Sequence, residues 1–364
     1  MITASAGLVA LLAELLAALA MAVAVAAAAV RGVRQRRQLR AATALAVARP
    51  LLLAAIMEDA PADVALQGLP RHVTRSMDQL AVGLAAKLRG TDRTALADYL
   101  AGRGTVQEAR HRTRSRLAVR RLRAVELLGA LGIADCRPDL ELRLRDRNAD
   151  VRRAAVRALG RHGGPDAVTA LLSLLDVDPR QVPEHCVTLA LTRCGPAGVP
   201  ALTAALRDGG PRARRAAAQV AGWLGATAAV DALCAALDAD SVAVQVEAVA
   251  ALGRIGAPNA AIPIRARLGA GHPTELRIAA ATALGRLDDA ASVPALAASL
   301  LDHHEVARSA ARALAHLGAT GREALAAAAT LAAEAREVLA TPALAGATGA
   351  TGATGGLDPT GGPR

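Results

Sequence analysis

The side chains with the most reactive chemistry in this chain are four cysteines, Cys136, Cys186, Cys194 and Cys234. None forms a C-x-x-C pair or any zinc-ligand spacing. His185 and Cys186 are neighbours, and a Cys–His pair can generate a thiolate nucleophile. Adjacency does not orient the base, however, and no carboxylate or oxyanion-hole signature accompanies the two. His303 and His304 sit together in a polar turn, LDHH, without further metal ligands. The phosphate-binding loop, the zinc-protease HExxH and the GxSxG elbow are all missing. No catalytic, cofactor-binding or metal-ligating residues are therefore expected, and the chain reads as a non-enzyme with no cofactor.

What remains is recognition chemistry. One recurring position holds Ala130, Arg161, Arg193, Trp223, Arg254, Arg286 and His316. Its polar company places it at solvent, and exposed Trp and Arg are the residues most enriched in binding hot spots. The expectation is a partner-binding edge of Arg161, Arg193, Arg254 and Arg286 around the chain's single tryptophan. The plainer reading is that the arginines complement helix C-terminal dipoles and Trp223 folds onto a neighbouring helix. A second row, nine residues earlier, holds Arg121, Arg152, Arg214 and Arg277, interrupted by Glu184, Gln245 and Ala307. Cys194 falls where other units carry Leu131, Leu224, Ile255, Leu287 and Leu317, so it is expected in the core.

Both rows exist because the chain repeats. An apolar segment ending in Leu-Gly-x-apolar-Gly, or a variant of it, recurs with its last position at residues 132, 163, 195, 225, 256, 288 and 318. Near-equal steps of about 31 residues are the signature of a solenoid. Within a unit a first helix carries apolar residues at helical spacing, as in Val151, Val156 and Leu159. Glycine ends it. A short turn, often with proline, leads to a second helix such as AVTALLSLL (167–175), and an Asp-rich turn closes the unit.

The unit DVRRAAVRALGRHGGPDAVTALLSLLD (150–176) resembles the short bacterial HEAT repeat, a class also seen in phycobilisome lyases, and the resemblance covers residues 116–334. It implies an all-α fold, an α-solenoid of about seven HEAT-like antiparallel helix pairs stacked into a curved superhelix. Members of that family mostly bind proteins, often on the concave face lined by second helices. They also often carry an arginine near the second row that bonds to neighbouring turns, so the resemblance implies that Arg121, Arg152, Arg214 and Arg277 are structural.

Residues 6–30, AGLVALLAELLAALAMAVAVAAAAV, are 25 residues with one charge, Glu14. As a helix they would be about 37 Å long, enough to cross the bilayer core. Arg31, Arg34, Arg36, Arg37 and Arg40 follow, and no basic residue precedes. The positive-inside rule puts the N-terminus outside and the repeats in the cytoplasm, on a single-pass anchor in the cell membrane. The same arginines are expected to touch anionic lipid headgroups. A cleaved signal peptide is the competing reading, weakened by the missing basic n-region. Glu14 is either a helix–helix contact or an interface residue. Residues 41–57 read as a juxtamembrane helix broken at Pro50. The expected organisation is an anchor (1–30), a basic juxtamembrane helical segment (31–71), a divergent helical cap (72–115), the solenoid (116–340) and a disordered Gly/Thr-rich tail (341–364).

Charge then separates the function classes. Residues 31–123 carry 19 Lys and Arg against 7 Asp and Glu, whereas residues 124–364 carry 24 of each. A nucleic-acid-binding solenoid would place its excess on the repeats, so nucleic acid is not an expected partner. A bilin-lyase-like enzyme would need aromatics for its chromophore pocket, and the chain has no Phe, one Tyr and one Trp. The expectation is a membrane-anchored cytoplasmic scaffold or adaptor that binds a membrane-associated protein. Chains of this layout resemble accessories to membrane enzymes, glycosyltransferases among them.

Overall fold

The computed structural model describes residues 46–54, 70–88, 90–177 and 182–329, with isolated positions between 21 and 43. Among the described residues the secondary structure is helical and no strand occurs. No helix among them is long and apolar enough to cross a membrane. The anchor expected over residues 6–30 lies outside the described residues apart from Met21, Val25 and Ala28, which are helical and exposed. The Gly/Thr-rich tail also lies outside them. One local expectation is corrected: residues 46–54 are helical on both sides of Pro50. Proline forfeits one N–H bond but holds a helical φ, so a helix can carry it at that local cost. Ala48 and Leu52, one turn apart, are buried on its one packed face.

The chain forms two compact units, one of residues 1–116 with 130–133, the other of residues 117–129 with 134–364. The first unit contains α1 (Arg71–Ala85), α2 (Thr91–Gly102) and α3 (Thr105–Thr113). Its core follows helical spacing: Val73, Met77, Ala81 and Ala85 of α1 face inward, as do Leu96 and Leu100 of α2. Gly90 and Gly104, at φ 68° and 70°, break the chain between these helices. Tyr99 Oη donates to Asp78 Oδ1 at 3.4 Å, and Arg103 Nε donates to the same oxygen at 3.3 Å. Burial, with the Asp78 charge beside it, pushes the Tyr99 phenol up to about 12. The hydroxyl therefore stays protonated and keeps its bond across the physiological range.

The second unit is a run of helix pairs. First helices are α4 (Ala118–Leu131), α6 (Ala149–His162), α8 (Glu184–Cys194), α10 (Pro211–Trp223), α12 (Val242–Ile255), α14 (Thr274–Leu287) and α16 (His304–His316). They alternate with second helices α5 (Arg137–Arg143), α7 (Gly164–Val177), α9 (Val199–Asp208), α11 (Val230–Ala235), α13 (Ala261–Ala266), α15 (Val293–Ala298) and α17 (Gly318–Ala328). Within this unit each first helix from α6 to α16 packs on the next first helix, and α7, α9 and α11 pack in the same sequence. The repeat expected from sequence is thus an α-solenoid stack.

One leucine or isoleucine per second helix anchors the core: Leu140, Leu171, Leu202, Leu233, Ile264, Leu296 and Leu325 are all fully buried. On the first helices Leu128, Leu159, Leu191, Leu252, Leu284 and Leu314 are equally buried. Each contributes on the order of 2 kcal/mol by leaving water.

The two glycines of the signature do different jobs. The last one ends the first helix with positive φ, from 63° to 75° at Gly163, Gly195, Gly225 and Gly256. The first one lies inside the helix and marks a close approach. A methyl group placed on Gly160, Gly222, Gly253 or Gly285 would sit 2.8 Å from the Cα of Ala190, Ala251, Ala283 or Ala313 on the next first helix. Each of these alanines lies two residues before the signature position of its own helix. The register between neighbouring first helices is therefore constant along these joints.

Asp288 takes the last-glycine position in the sixth unit at φ 52°. A side chain there costs energy that glycine does not. Asp288→Gly is expected to stabilise the unit by about 0.5–1 kcal/mol, read as a higher urea midpoint at unchanged slope. A lower midpoint would show that the aspartate makes a compensating interaction.

Candidate functional site

The interior row of arginines is structural, as expected. In the second unit Arg152 Nη1 donates to Asp146 O at 2.7 Å, Arg214 Nε to Leu206 O at 3.1 Å and Arg277 Nε to Leu268 O at 3.0 Å. Each guanidinium thus satisfies a carbonyl left open at the end of the preceding pair. Gln245 Nε2 makes the same kind of bond to Ala239 O at 2.7 Å. It does not interrupt the row, because an amide NH2 replaces the guanidinium donor. Arg121 reaches forward instead, to Asp146, with Nε–Oδ2 2.8 Å and Nη2–Oδ1 2.7 Å. Both side chains are almost fully buried. Burial alone would raise the Asp146 carboxyl. Hydrogen bonds from Arg121 and the Asn148 N–H, with the charges of Arg121 and Arg143, outweigh it and hold the carboxyl below the usual range.

The reactive side chains do not assemble into a catalytic site. Cys194 is buried as expected, with Sγ 3.4 Å from Ala190 O, and burial pushes its thiol up to about 11. Its thiolate is disfavoured and it packs as a small apolar residue. Cys186 Sγ lies 3.3 Å from His185 Nε2 at the exposed start of α8. Glu184, the adjacent acid, is engaged by Arg215 rather than by His185. Arg308 Nη2 approaches His304 Nε2 at 2.8 Å, and the His303 N–H donates to Asp302 Oδ1 at 2.6 Å. Among the described residues no group of His, Cys, Asp or Glu is placed to hold a metal ion. An open cleft of about 520 Å³ lies between Ala134–Pro138 and His162–Asp166, and an Arg137–Asp166 ion pair spans it.

The outer row sits at the C-terminal ends of first helices. Trp223 is 51% exposed, and Arg161, Arg193, Arg286 and His316 are exposed. Among the described residues the side chains of Arg161, Arg193 and Arg286 have no ion pair or hydrogen-bond partner. Two members differ. Ala130 is buried. Arg254 is half-buried: its Nη2 donates to Glu247 Oε1 at 2.7 Å, and its Nη1 lies over Gly222 without a partner. The Gly–Ala joints are the positioning device: they bring Arg193 to the height of Arg161, and Trp223, Arg254, Arg286 and His316 to one height in successive helices, whereas the joint between α8 and α10 has Thr192 in place of the glycine. Leu189, one turn before Arg193, adds an exposed apolar side chain beside the row. The corresponding outward position on the second helices holds Ser173, Ala204, Ala235, Ala266 and Ala298, all exposed and none offering a charge or an aromatic ring.

The family model for HEAT repeats matches residues 109–192, 184–244 and 231–315, more than half of the chain. The chain belongs to the HEAT-repeat family. Its HEAT pairs are similar to several solved structures, including Escherichia coli YibA at 19% identity, over 66% of this chain and 92% of that one, with a TM-score of 0.38. Human deoxyhypusine hydroxylase in complex with glycerol is 21% identical over 77% of this chain and 98% of that one, at a TM-score of 0.31. The complex of CpcE and CpcF of phycocyanin lyase from Nostoc is 21% identical over 67% and 94%, at 0.26. These likenesses carry nothing about the chemistry of this HEAT chain. No curated protein matches the sequence.

Proposed function

We propose that this HEAT-repeat protein is a membrane-anchored scaffold that holds a partner protein along the edge running from Arg161 through Arg193, Trp223 and Arg254 to Arg286. The observation that carries this reading is the row itself. The Gly–Ala joints align exposed Trp223 with Arg254 and Arg286, and Arg161 with Arg193, and among the described residues Arg161, Arg193 and Arg286 have no ion pair or hydrogen-bond partner. Such residues gain most when a partner excludes water from them. The second-helix position two residues after the core leucine or isoleucine, by contrast, presents small side chains from Ser173 to Ala298, and the exposed apolar side chains on that side, Leu142, Ile262 and Leu301, stand without an aligned row of cations.

Anchoring rests on residues 6–30 and the arginines that follow. Met21 and Val25 are 67% and 62% exposed apolar residues on a helix, as a lipid-facing surface requires. Arg31, Arg34, Arg36, Arg37 and Arg40 would then lie at anionic headgroups, with the N-terminus outside and the repeats in the cytoplasm. The partner is on this reading itself membrane-associated, and a membrane enzyme such as a glycosyltransferase is the class that the layout fits.

The test is capture in cells. The full chain, tagged at its C-terminus, is crosslinked, extracted from membranes in mild detergent and analysed for co-purifying protein. One membrane protein is expected from the parent, and Trp223→Ala with Arg193→Ala is expected to lower its recovery at least about tenfold. Equal recovery from the double variant would remove the edge. Recovery of the chain from the soluble fraction would remove the anchor.

A further inference from the structure

The edge also specifies its ligand, and we infer that it takes an extended acidic segment of the partner. That segment has carboxylates about three residues apart and an apolar side chain opposite Trp223. The inference rests on the edge reading above.

Three observations carry it. First, the row contains no Asp or Glu, although residues 124–364 as a whole are neutral. Among the described residues, Arg161 and Arg193 on one side of Trp223 and Arg286 on the other have no ion pair or hydrogen-bond partner. Second, the spacing is set by helix packing. Neighbouring helices lie about 8–10 Å apart, and the Gly–Ala joints keep Arg161 in register with Arg193 and Trp223 in register with Arg254 and Arg286. A polyproline-II-like extended chain advances about 3.1 Å per residue with about three residues per turn, so every third side chain points the same way and meets the next repeat. A helical ligand, rising about 1.5 Å per residue, would need its acids six residues apart and would turn most of them away. Third, Trp223 interrupts the cations with an exposed apolar face, and Leu189 is exposed one turn before Arg193. A uniform polyanion such as nucleic acid gives that face nothing but base stacking, and it would also meet the carboxylates of a neutral unit.

Because Trp223 is the only tryptophan in the chain, its own emission reports occupancy. The full chain in mild detergent is titrated with the peptide Glu-Ser-Ser-Glu-Ser-Ser-Leu-Ser-Ser-Glu-Ser-Ser-Glu. A saturable emission change is expected, weakening as salt rises. Arg161→Glu with Arg193→Glu is expected to weaken binding by about tenfold or more, with the thermal unfolding curve unchanged as the control for folding. A peptide of the same composition with its glutamates adjacent, and one with lysine in place of glutamate, are expected to bind at least several-fold more weakly.

The inference is overturned by no saturable change, by equal binding of the clustered or lysine peptide, or by indifference to the charge reversal. It is equally overturned if phosphatidylglycerol vesicles or single-stranded DNA give the same change with the same loss in the reversed variant, since the row would then be a general anion surface. Peptide failure beside cellular capture that Trp223→Ala still abolishes removes the acidic segment alone. Capture indifferent to Trp223→Ala removes the edge as well.

Discussion

Arg121→Met is expected to lower the stability of the repeat unit by about 3–5 kcal/mol. The cost arises less from the lost attraction than from what stays behind. Asp146 is almost fully buried, and it accepts two guanidinium bonds that water cannot reach to replace. It also accepts from the Asn148 N–H at 2.9 Å, and Arg152 bonds its backbone carbonyl. The turn between the first two repeats is therefore built around one carboxylate. Hydrogen exchange over residues 118–152 is expected to show the loss locally before the rest of the array responds. A cost under about 1 kcal/mol would mean that Arg143, at 3.3 Å from the same carboxylate, takes over the pairing. The pH dependence has a definite sign. The Asp146 carboxyl is held below its unfolded value, near 3.9 for a free aspartate. Its contribution is complete above that value and is lost as pH falls through the lowered folded one. Asp146→Asn is thus expected to flatten the acid limb of the stability curve and to destabilise the protein at neutral pH. Asp289 shares this sign: burial would raise it, but Ser292 and Arg265 hold it low.

Gly253→Ala is expected to destabilise the unit by about 1–3 kcal/mol, although alanine is the better helix former by about 1 kcal/mol. The two effects oppose each other, and distance decides between them. An added methyl would meet Ala283 Cα and Cβ at 2.8 Å, the first of these a backbone atom that cannot rotate away. Relief requires the two first helices to separate, which loosens Leu252 and Leu284 beside the joint. Gly83 on α1, inside a helix with open space around it, is the control, and alanine there is expected to be neutral or stabilising. Urea unfolding of both variants checks the pair. Stabilisation at Gly253 would show that the joint has slack, and the shared register of the outer row would lose its support.

Much of the fold was legible because a repeat states its rule seven times. The apolar periodicity located every helix pair, and the near-constant step located the turns. What sequence reading missed was relational. It took the glycine of the signature as a helix end, whereas only the last glycine caps and the first allows two backbones to approach. Nothing in one unit distinguishes them. The signal lies between units, in the pairing of each first glycine with an alanine two residues before the signature position of the next helix. Gln245 looks like a gap when only residue type is compared, but its donor group does the arginine's work. Pro50 looks like a break when its cost is counted without the helix around it. In the outer row, exposure of Trp223, Arg161, Arg193 and Arg286 followed from polar company alone. The separate behaviour of Arg254 did not, because Glu247 lies seven residues away, two helical turns earlier.

The most direct measurement places a photo-crosslinking amino acid at one exposed position at a time in the full chain and identifies adducts in cells. Positions 193, 223 and 286 sample the outer row, and positions 262 and 301 sample exposed apolar side chains, Ile262 and Leu301, on the second-helix side. Adducts to one and the same protein are expected from the three outer positions and not from the other two. Adducts confined to positions 262 and 301 would place the partner on the second helices and contradict the edge as the binding surface.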